Sequence, residues 1–318
     1  HQQVQILQSG EKSDSASMRC ENREHHVHYI EASDTAKLTK RLSQIPEIES
    51  NVLFQFIRCM CDLTALTELV IADGIRCGTC FVQKIEKFAN TSCPCPECQG
   101  HRNTKWGKVT LTTALHVLKD EADASKCTVR FFIDSEDSTD QGKIIYGLKS
   151  HSRDVTGDWC ALVCATHDLD LLTLLEDKLK EYWKLGRALK DKYQKESENL
   201  VVVVVSHPHG GPKRISLGEA KVKDLAREVR EDQDWCYYSY DAVTCDGSSG
   251  APVYVLGRWN DGFGYWFGHT HNHSGIDNFD LNSSTVGVDS TYGLSRQSYR
   301  SVVLEKTDGC GQSSFQKE

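Results

Sequence analysis

From Asp73-Gly74 onward the sequence is a succession of short β-rich runs broken by turns, and this rhythm limits the possible folds more than any other feature. The runs are 79–85, 108–111, 128–133, 143–148, 159–164, 200–205, 214–217, 251–256 and 263–267. Many short strands at such spacing predict an all-β sandwich or barrel. One stretch departs from it. Across 167–199, Leu169, Leu172, Leu175, Leu179, Tyr182, Trp183 and Leu189 recur at helical spacing, with Glu176, Lys178, Lys180, Lys184 and Lys190 between them. That pattern is an amphipathic helix inserted between strands, its charges a solvated face. Upstream, residues 1–24 read as a polar, unstructured lead-in. Residues 35–71 read as helical, split by Pro46, with Leu53, Phe54, Ile57, Met60, Leu63, Leu66, Leu69 and Val70 on the apolar face. The chain therefore divides into a lead-in and helical segment (1–72), a β domain carrying the inserted helix (73–300) and a tail (301–318).

The 318 residues carry a net charge of -8, which argues against nonspecific attraction to nucleic acid or to an anionic membrane. No run approaches the roughly 18 apolar residues of a membrane span. The opening residues are polar and rich in His, Glu and Ser, unlike a secretory signal. With His1 at its head, the sequence reads as a fragment or a processed chain. Fourteen cysteines admit two readings, disulfides in a secreted protein or thiols and metal ligands in a reducing compartment. Cys160 and Cys164 lie in a strand-like apolar run, where cysteine acts as a small hydrophobe. Cys93, Cys95 and Cys98 are too tightly clustered for easy mutual bridging. Both point to an intracellular, cytoplasmic protein, while sequons at Asn90, Asn272 and Asn282 point the other way.

Three motifs carry chemistry. In Cys245-Asp246-Gly247-Ser248-Ser249-Gly250-Ala251-Pro252, glycines on either side of a serine allow a tight turn that exposes a hydroxyl and brings backbone N–H groups close to it. In Thr113-Ala114-Leu115-His116, a strand delivers a histidine after a small-residue step. In Asp158-Trp159-Cys160-Ala161-Leu162-Val163, a carboxylate opens an apolar strand. Each has an ordinary structural explanation taken alone.

Taken together they resemble the trypsin/chymotrypsin-like serine protease superfamily. Thr113-Ala114-Leu115-His116 is similar to that family's Thr-Ala-Ala-His, and Gly247-Ser248-Ser249-Gly250-Ala251-Pro252 to its Gly-Asp-Ser-Gly-Gly-Pro. Asp158 onward resembles its Asp-x-Ala-Leu-Leu strand, and the order His, Asp, Ser is the chymotrypsin order. The valine strand 200–205 with Ser206-His207-Pro208-His209-Gly210 resembles HtrA-type and other intracellular relatives. The resemblance covers about residues 73–290. It implies a mainly β, chymotrypsin-like double β-barrel and a serine endopeptidase acting on protein or peptide substrates, with no cofactor for catalysis. His116, Asp158 and Ser249 would form the triad, and the N–H groups of Gly247 and Ser249 the oxyanion hole. Asp168 is a rival acid, but its neighbours run straight into the inserted helix. The alternative function is a catalytically silent, protease-like interaction module.

Departures from the family pattern matter. Ser248 stands where secreted enzymes hold an activation aspartate, and Val117 follows the histidine where a cysteine is usual. By alignment the primary pocket involves Val243, Thr244 and the segment Gly268-His269-Thr270-His271-Asn272-His273-Ser274-Gly275, and no aspartate selects Arg or Lys there. Histidines in a pocket can favour acidic or amide side chains; they can equally bind a metal, by sharing one face of a strand, or sit in a plain surface loop. Cys77-x2-Cys80 and Cys95-x2-Cys98 approximate a four-thiolate structural zinc site, with Cys93 and His101 as spare ligands, against unligated or bridged thiols.

Overall fold

The computed structural model describes residues 2–45, 48–98, 103–136, 142–193, 200–230, 233–257, 270–277, 281–290 and 302–303. The lead-in holds β1 (Gln5–Gln8), α1 (Ser13–Met18), a 3₁₀ turn (Arg23–His28) and β2 (Ile30–Glu31). Then come α2 (Thr35–Leu42), α3 (Ser50–Leu63), β3 (Thr64–Ile71), β4 (Gly74–Phe88) and β5 (Trp106–Ala114). After α4 (Glu121–Lys126) follow β6 (Cys127–Phe131), β7 (Lys143–Asp154), β8 (Trp159–Thr166) and α5 (Leu169–Tyr193). The C-terminal half holds β9 (Val201–Ser206), β10 (Arg214–Arg230), β11 (Gln233–Tyr240) and β12 (Val253–Val255). The last strands are β13 (His273–Ile276), β14 (Asn282–Ser284), β15 (Gly287–Ser290) and β16 (Val302–Val303).

The strands form two antiparallel sheets. In the first, β4-β3-β6-β7-β8-β5 closes on itself because β5 returns to β4, and β1 adds to β4 from outside the ring. Closure removes the free edges of the ring. The second runs β12-β9-β10-β11-β14-β13, and a bridge between Pro252 and Asn272 joins its two ends. This is the double barrel that the motifs imply. Chain alternation explains how the halves share the valine strand. Val201, Val203 and Val205 enter the large core that also contains α3 and α5, while Leu200, Val202 and Val204 enter the core of the second barrel.

The helices lie where the two barrels meet. Phe56 of α3 packs on Tyr182 of α5 at 4.8 Å and on Tyr254 of β12 at 4.3 Å, and Phe81 of β4 meets Tyr182 at 5.2 Å. The inserted helix is thus a structural bridge as well as a solvated surface.

Two expectations are corrected. Residues 64–71 are a strand, paired with β4 and β6. Leu66, Leu69 and Val70 fit helical spacing by coincidence, and the β-branched Thr64, Thr67, Val70 and Ile71 suit the sheet. The first sheet therefore begins upstream of residue 73. The lead-in is also structured: β1 pairs with β4, and Gln3 is buried. The run 263–267 and most of the tail 301–318 lie outside the described residues.

Candidate active site

β5 ends at Ala114 and the chain tightens into a 3₁₀ turn, Leu115–Val117, which lifts His116 to the junction between the barrels. Its neighbour β8 begins alongside, Ala114 pairing with Trp159. Asp158, one residue earlier, takes a left-handed backbone (φ 51°), uncommon outside glycine but tolerated by aspartate. That conformation lets Asp158 hold the turn twice. Its carbonyl accepts from the Leu115 N–H at 3.0 Å and its Oδ1 from the His116 N–H at 3.1 Å. Its Oδ2 lies 2.7 Å from Nδ1 of His116, and Nε2 of His116 lies 2.7 Å from Oγ of Ser249. The structure therefore joins the three motif residues. Asp168 instead caps α5, accepting from the Leu171 N–H at 2.9 Å, and pairs with Lys143.

The serine turn owes its shape to two glycines with positive φ. A Cβ on Gly247 (φ 94°) would lie 2.6 Å from the His207 carbonyl, and one on Gly250 (φ 89°) 2.0 Å from that of Thr79. Neither position has room for a side chain. The first barrel grips the turn through Thr79, whose N–H donates to the Ser249 carbonyl at 2.8 Å and whose hydroxyl donates to that of Gly247 at 2.9 Å. A fourth side chain joins the carboxylate: Oγ of Ser274 donates to Oδ2 of Asp158 at 2.5 Å. The Ser274 carbonyl is 3.1 Å from Oγ of Ser249, a second acceptor for that hydroxyl. With Nδ1–H donated to Asp158, Nε2 carries a lone pair and is placed to accept the Ser249 proton.

The N–H groups of Gly247 and Ser249 both donate to a single atom, the Gln3 carbonyl oxygen, at 2.8 and 3.2 Å. The Gln3 side chain reaches His273, with Oε1 2.7 Å from Nε2, and Tyr240 Oη lies 2.7 Å from Nδ1 of the same ring. Burial, followed by the charge of nearby His116, pushes His273 down to about 3, so the imidazole is neutral at physiological pH. The tautomer that satisfies all three groups has Tyr240 donating to Nδ1 and Nε2–H donating to Gln3.

The other residues expected in the pocket part company with His273. His271 directs Nε2 at Asp289 (3.0 Å) and packs edge-on against Tyr238. Thr244 donates to Asn282, Val243 is half-buried, and His269 lies outside the described residues. Nothing in the sequence singled out Gln3 or Tyr240, and Ser274, though within the expected pocket segment, carried no sign of its bond to Asp158. Ser274 is one residue beyond the noted histidines, but Gln3 sits in a segment with no motif at all.

The proposed four-thiolate set is split. Cys77 belongs to a small core with Leu7 and Leu66, and Cys80 to the main core. Three residues apart on a strand, they face opposite sides of the sheet. Cys95 and Cys98 instead converge with Cys93 and His167, all four ligand atoms lying within 4.8 Å of one another. Sγ of Cys95 and of Cys98 are each 3.3 Å from Nδ1 of His167. Edges of that length suit a tetrahedral ion with three thiolates and one imidazole. His101 lies outside the described residues. A second set, Cys20, His26, His209 and Cys245, has the same compactness.

Comparison with protein-family models matches residues 101–265 to the lysyl endopeptidase C-terminal domain. Comparison with curated proteins yields no match. Among solved structures, Deg5 is 13% identical with TM-score 0.40, covering 76% of this chain and 91% of its own. The Rv3671c protease from M. tuberculosis in its active form is 12% identical with TM-score 0.39, over 75% of this chain and 82% of its own. The serine endoprotease from Yersinia pestis is 11% identical with TM-score 0.39, over 73% and 61%.

Proposed function

Because this chain belongs to the lysyl endopeptidase C-terminal-domain family of trypsin-like serine proteases, we propose that it is a working serine endopeptidase with His116, Asp158 and Ser249 as its triad. Ser249 attacks the scissile carbonyl while His116 takes its proton. Asp158, held by the Ser274 hydroxyl and the His116 N–H, stabilises the imidazolium and fixes the tautomer. The N–H groups of Gly247 and Ser249 receive the oxyanion. His116 then protonates the leaving amine, and water activated by the same imidazole releases the acyl group. The observation that carries this reading is the pair of 2.7 Å contacts from one imidazole to a carboxylate and to a serine hydroxyl. Incubation of unfolded casein with the full chain tests it. Fragments should appear with the native protein and not with Ser249→Ala or His116→Ala; intact casein in all three would favour the silent module.

We also propose that Cys93, Cys95, Cys98 and His167 hold a structural zinc ion. Four protein ligands leave no open position for water, so the ion would staple the loop after β4 to the end of β8 rather than take part in hydrolysis.

A further inference from the structure

The lead-in lies in the cleft in the pose of a substrate. The Gln3 carbonyl oxygen takes both N–H groups of the serine turn, and its side chain ends on His273. On one side of it, Gln2 forms an antiparallel bridge with Gly275, next to Ser274. On the other, β1 runs antiparallel to β4, Gln5 opposite Cys77. The chain therefore crosses the triad as an extended strand anchored before and after Gln3, which is 2% exposed while Ser249 is fully buried beneath it. An inhibitory plug needs only to fill the cleft. Here the one carbonyl that occupies the oxyanion site also carries the side chain that the pocket binds.

We propose that the chain cleaves its own Gln3–Val4 bond in cis, and that the pocket defined by His273 selects glutamine before the scissile bond. The proposal rests on the protease reading above. Ser249 Oγ bonds to the Gln3 carbonyl carbon as its proton passes to Nε2 of His116. The C–N bond to Val4 then breaks, and the proton goes to the Val4 nitrogen, which leaves as an α-amine. Water, deprotonated by His116, adds to the ester; the Ser249–carbon bond breaks and Ser249 regains a proton, leaving a Gln3 carboxylic acid that ionises. The preference for glutamine follows from the ring's neutrality. Nε2–H offers one hydrogen bond to a carboxamide oxygen and no charge to balance a buried carboxylate. The buried lining also supplies no counter-charge for a lysine ammonium from any residue seen to touch Gln3.

The test is a time course of the purified full chain by intact mass and N-terminal sequencing, with fluorophosphonate labelling of the same samples. A product beginning at Val4 should form at a rate independent of protein concentration. It should be absent in Ser249→Ala and at least tenfold slower in Gln3→Ala. The matured protein should cleave a peptide with Gln before the bond at least tenfold faster than its Glu or Lys counterparts. If Ser249 takes the label or the Lys peptide is cut while Gln3–Val4 stays intact, this proposal falls and the protease reading stands. If there is neither labelling nor cleavage of any peptide, the protease reading falls with it. Concentration-dependent cleavage, or cleavage that survives Ser249→Ala, also overturns the proposal.

A different observation carries a second inference. His209 is 5% exposed, Nδ1 is held by Oε1 of Gln5 at 3.0 Å, and the buried Nε2 has no hydrogen-bond partner. That ring lies 5.3 Å from the ring of His26, whose Nε2 is 3.2 Å from Sγ of Cys245; Sγ of Cys20 is 3.7 Å from the same sulfur. The geometry points to a tetrahedral zinc site made by Cys20, His26, His209 and Cys245. Such an ion would clamp the lead-in, just downstream of the cleft-bound segment, to the first residue of the serine turn. Metal analysis of the dialysed full chain should show one equivalent of zinc lost in Cys20→Ser and in His209→Asn. Cys95→Ser should lose a separate equivalent. Zinc content equal to the native chain's in both Cys20→Ser and His209→Asn would remove the site.

Discussion

At the scale of single residues, the strongest constraint is the position of Asp158. Its left-handed backbone turns one carboxylate toward the His116 ring, the His116 N–H and the Ser274 hydroxyl at once. An amide there would donate where the imidazole needs an acceptor and would stabilise the wrong tautomer. Asp158→Asn is therefore expected to fold normally and to lose about 10⁴-fold in kcat, as the same change does in the chymotrypsin triad. Steady-state hydrolysis beside a near-ultraviolet spectrum checks both halves. Ser274 acts on His116 only through that carboxylate, so Ser274→Ala should give a smaller loss.

His273 allows a second expectation at this scale. In the unfolded chain its imidazole takes up a proton near pH 6.5, but in the folded protein burial holds this off until about 3. Between those values the unfolded state binds more protons. The contribution of the neutral ring is thus complete above about pH 6.5 and lost as the pH falls toward 3, at about 1.4 kcal/mol per pH unit. Urea midpoints of Ser249→Ala between pH 7 and pH 5 should fall more steeply than those of Ser249→Ala with His273→Phe.

His116, Asp158 and Ser249 were legible in the sequence because each sits in a contiguous motif whose local geometry follows from its neighbours. Gln3 and the bond from Ser274 to Asp158 were not, because they arise through tertiary pairing alone. The cysteines show the same division. Cys95 and Cys98 share a tight turn and converge, whereas Cys77 and Cys80 have a metal-like spacing that a strand sends to opposite faces.

At the scale of elements, periodicity found most strands but misread β3, where strand and helix spacings overlap over eight residues. It also passed over β11, whose Cys236, Tyr238 and Tyr240 alternate inward while Trp235 packs in a separate cluster with Val286 and Val288. The inserted helix was legible by its length and its charged face, but not what it would pack against. That contact has measurable weight. Phe56 is fully buried between Tyr182 and Tyr254, so Phe56→Ala should destabilise the protein by about 3–5 kcal/mol. Equilibrium denaturation in the Ser249→Ala background, which prevents self-digestion, reads it directly.

At the scale of the whole molecule, the proposed activity needs two barrels held in register, since His116 and Asp158 come from one and Ser249 from the other. Lys213, at the start of the second barrel, is fully buried yet charged. It donates to the Cys61 carbonyl at the end of α3 at 2.6 Å and to Oδ1 of Asp134 at 2.9 Å. Removing the counter-charge strands an ammonium in the interior, so Asp134→Ala is expected to cost about 3–5 kcal/mol. Replacing the pair by apolar residues of similar volume should cost far less, a contrast that thermal melts of both variants would show.

The proposed function rests on the double barrel bringing one serine hydroxyl to one imidazole. Mass spectrometry of the full chain matured by incubation and then exposed to a fluorophosphonate tests that most directly. One adduct per chain, mapped to Ser249 and abolished by His116→Ala, is the expected result. Folded, matured protein that takes up no adduct, or takes it up at another residue, would contradict the account.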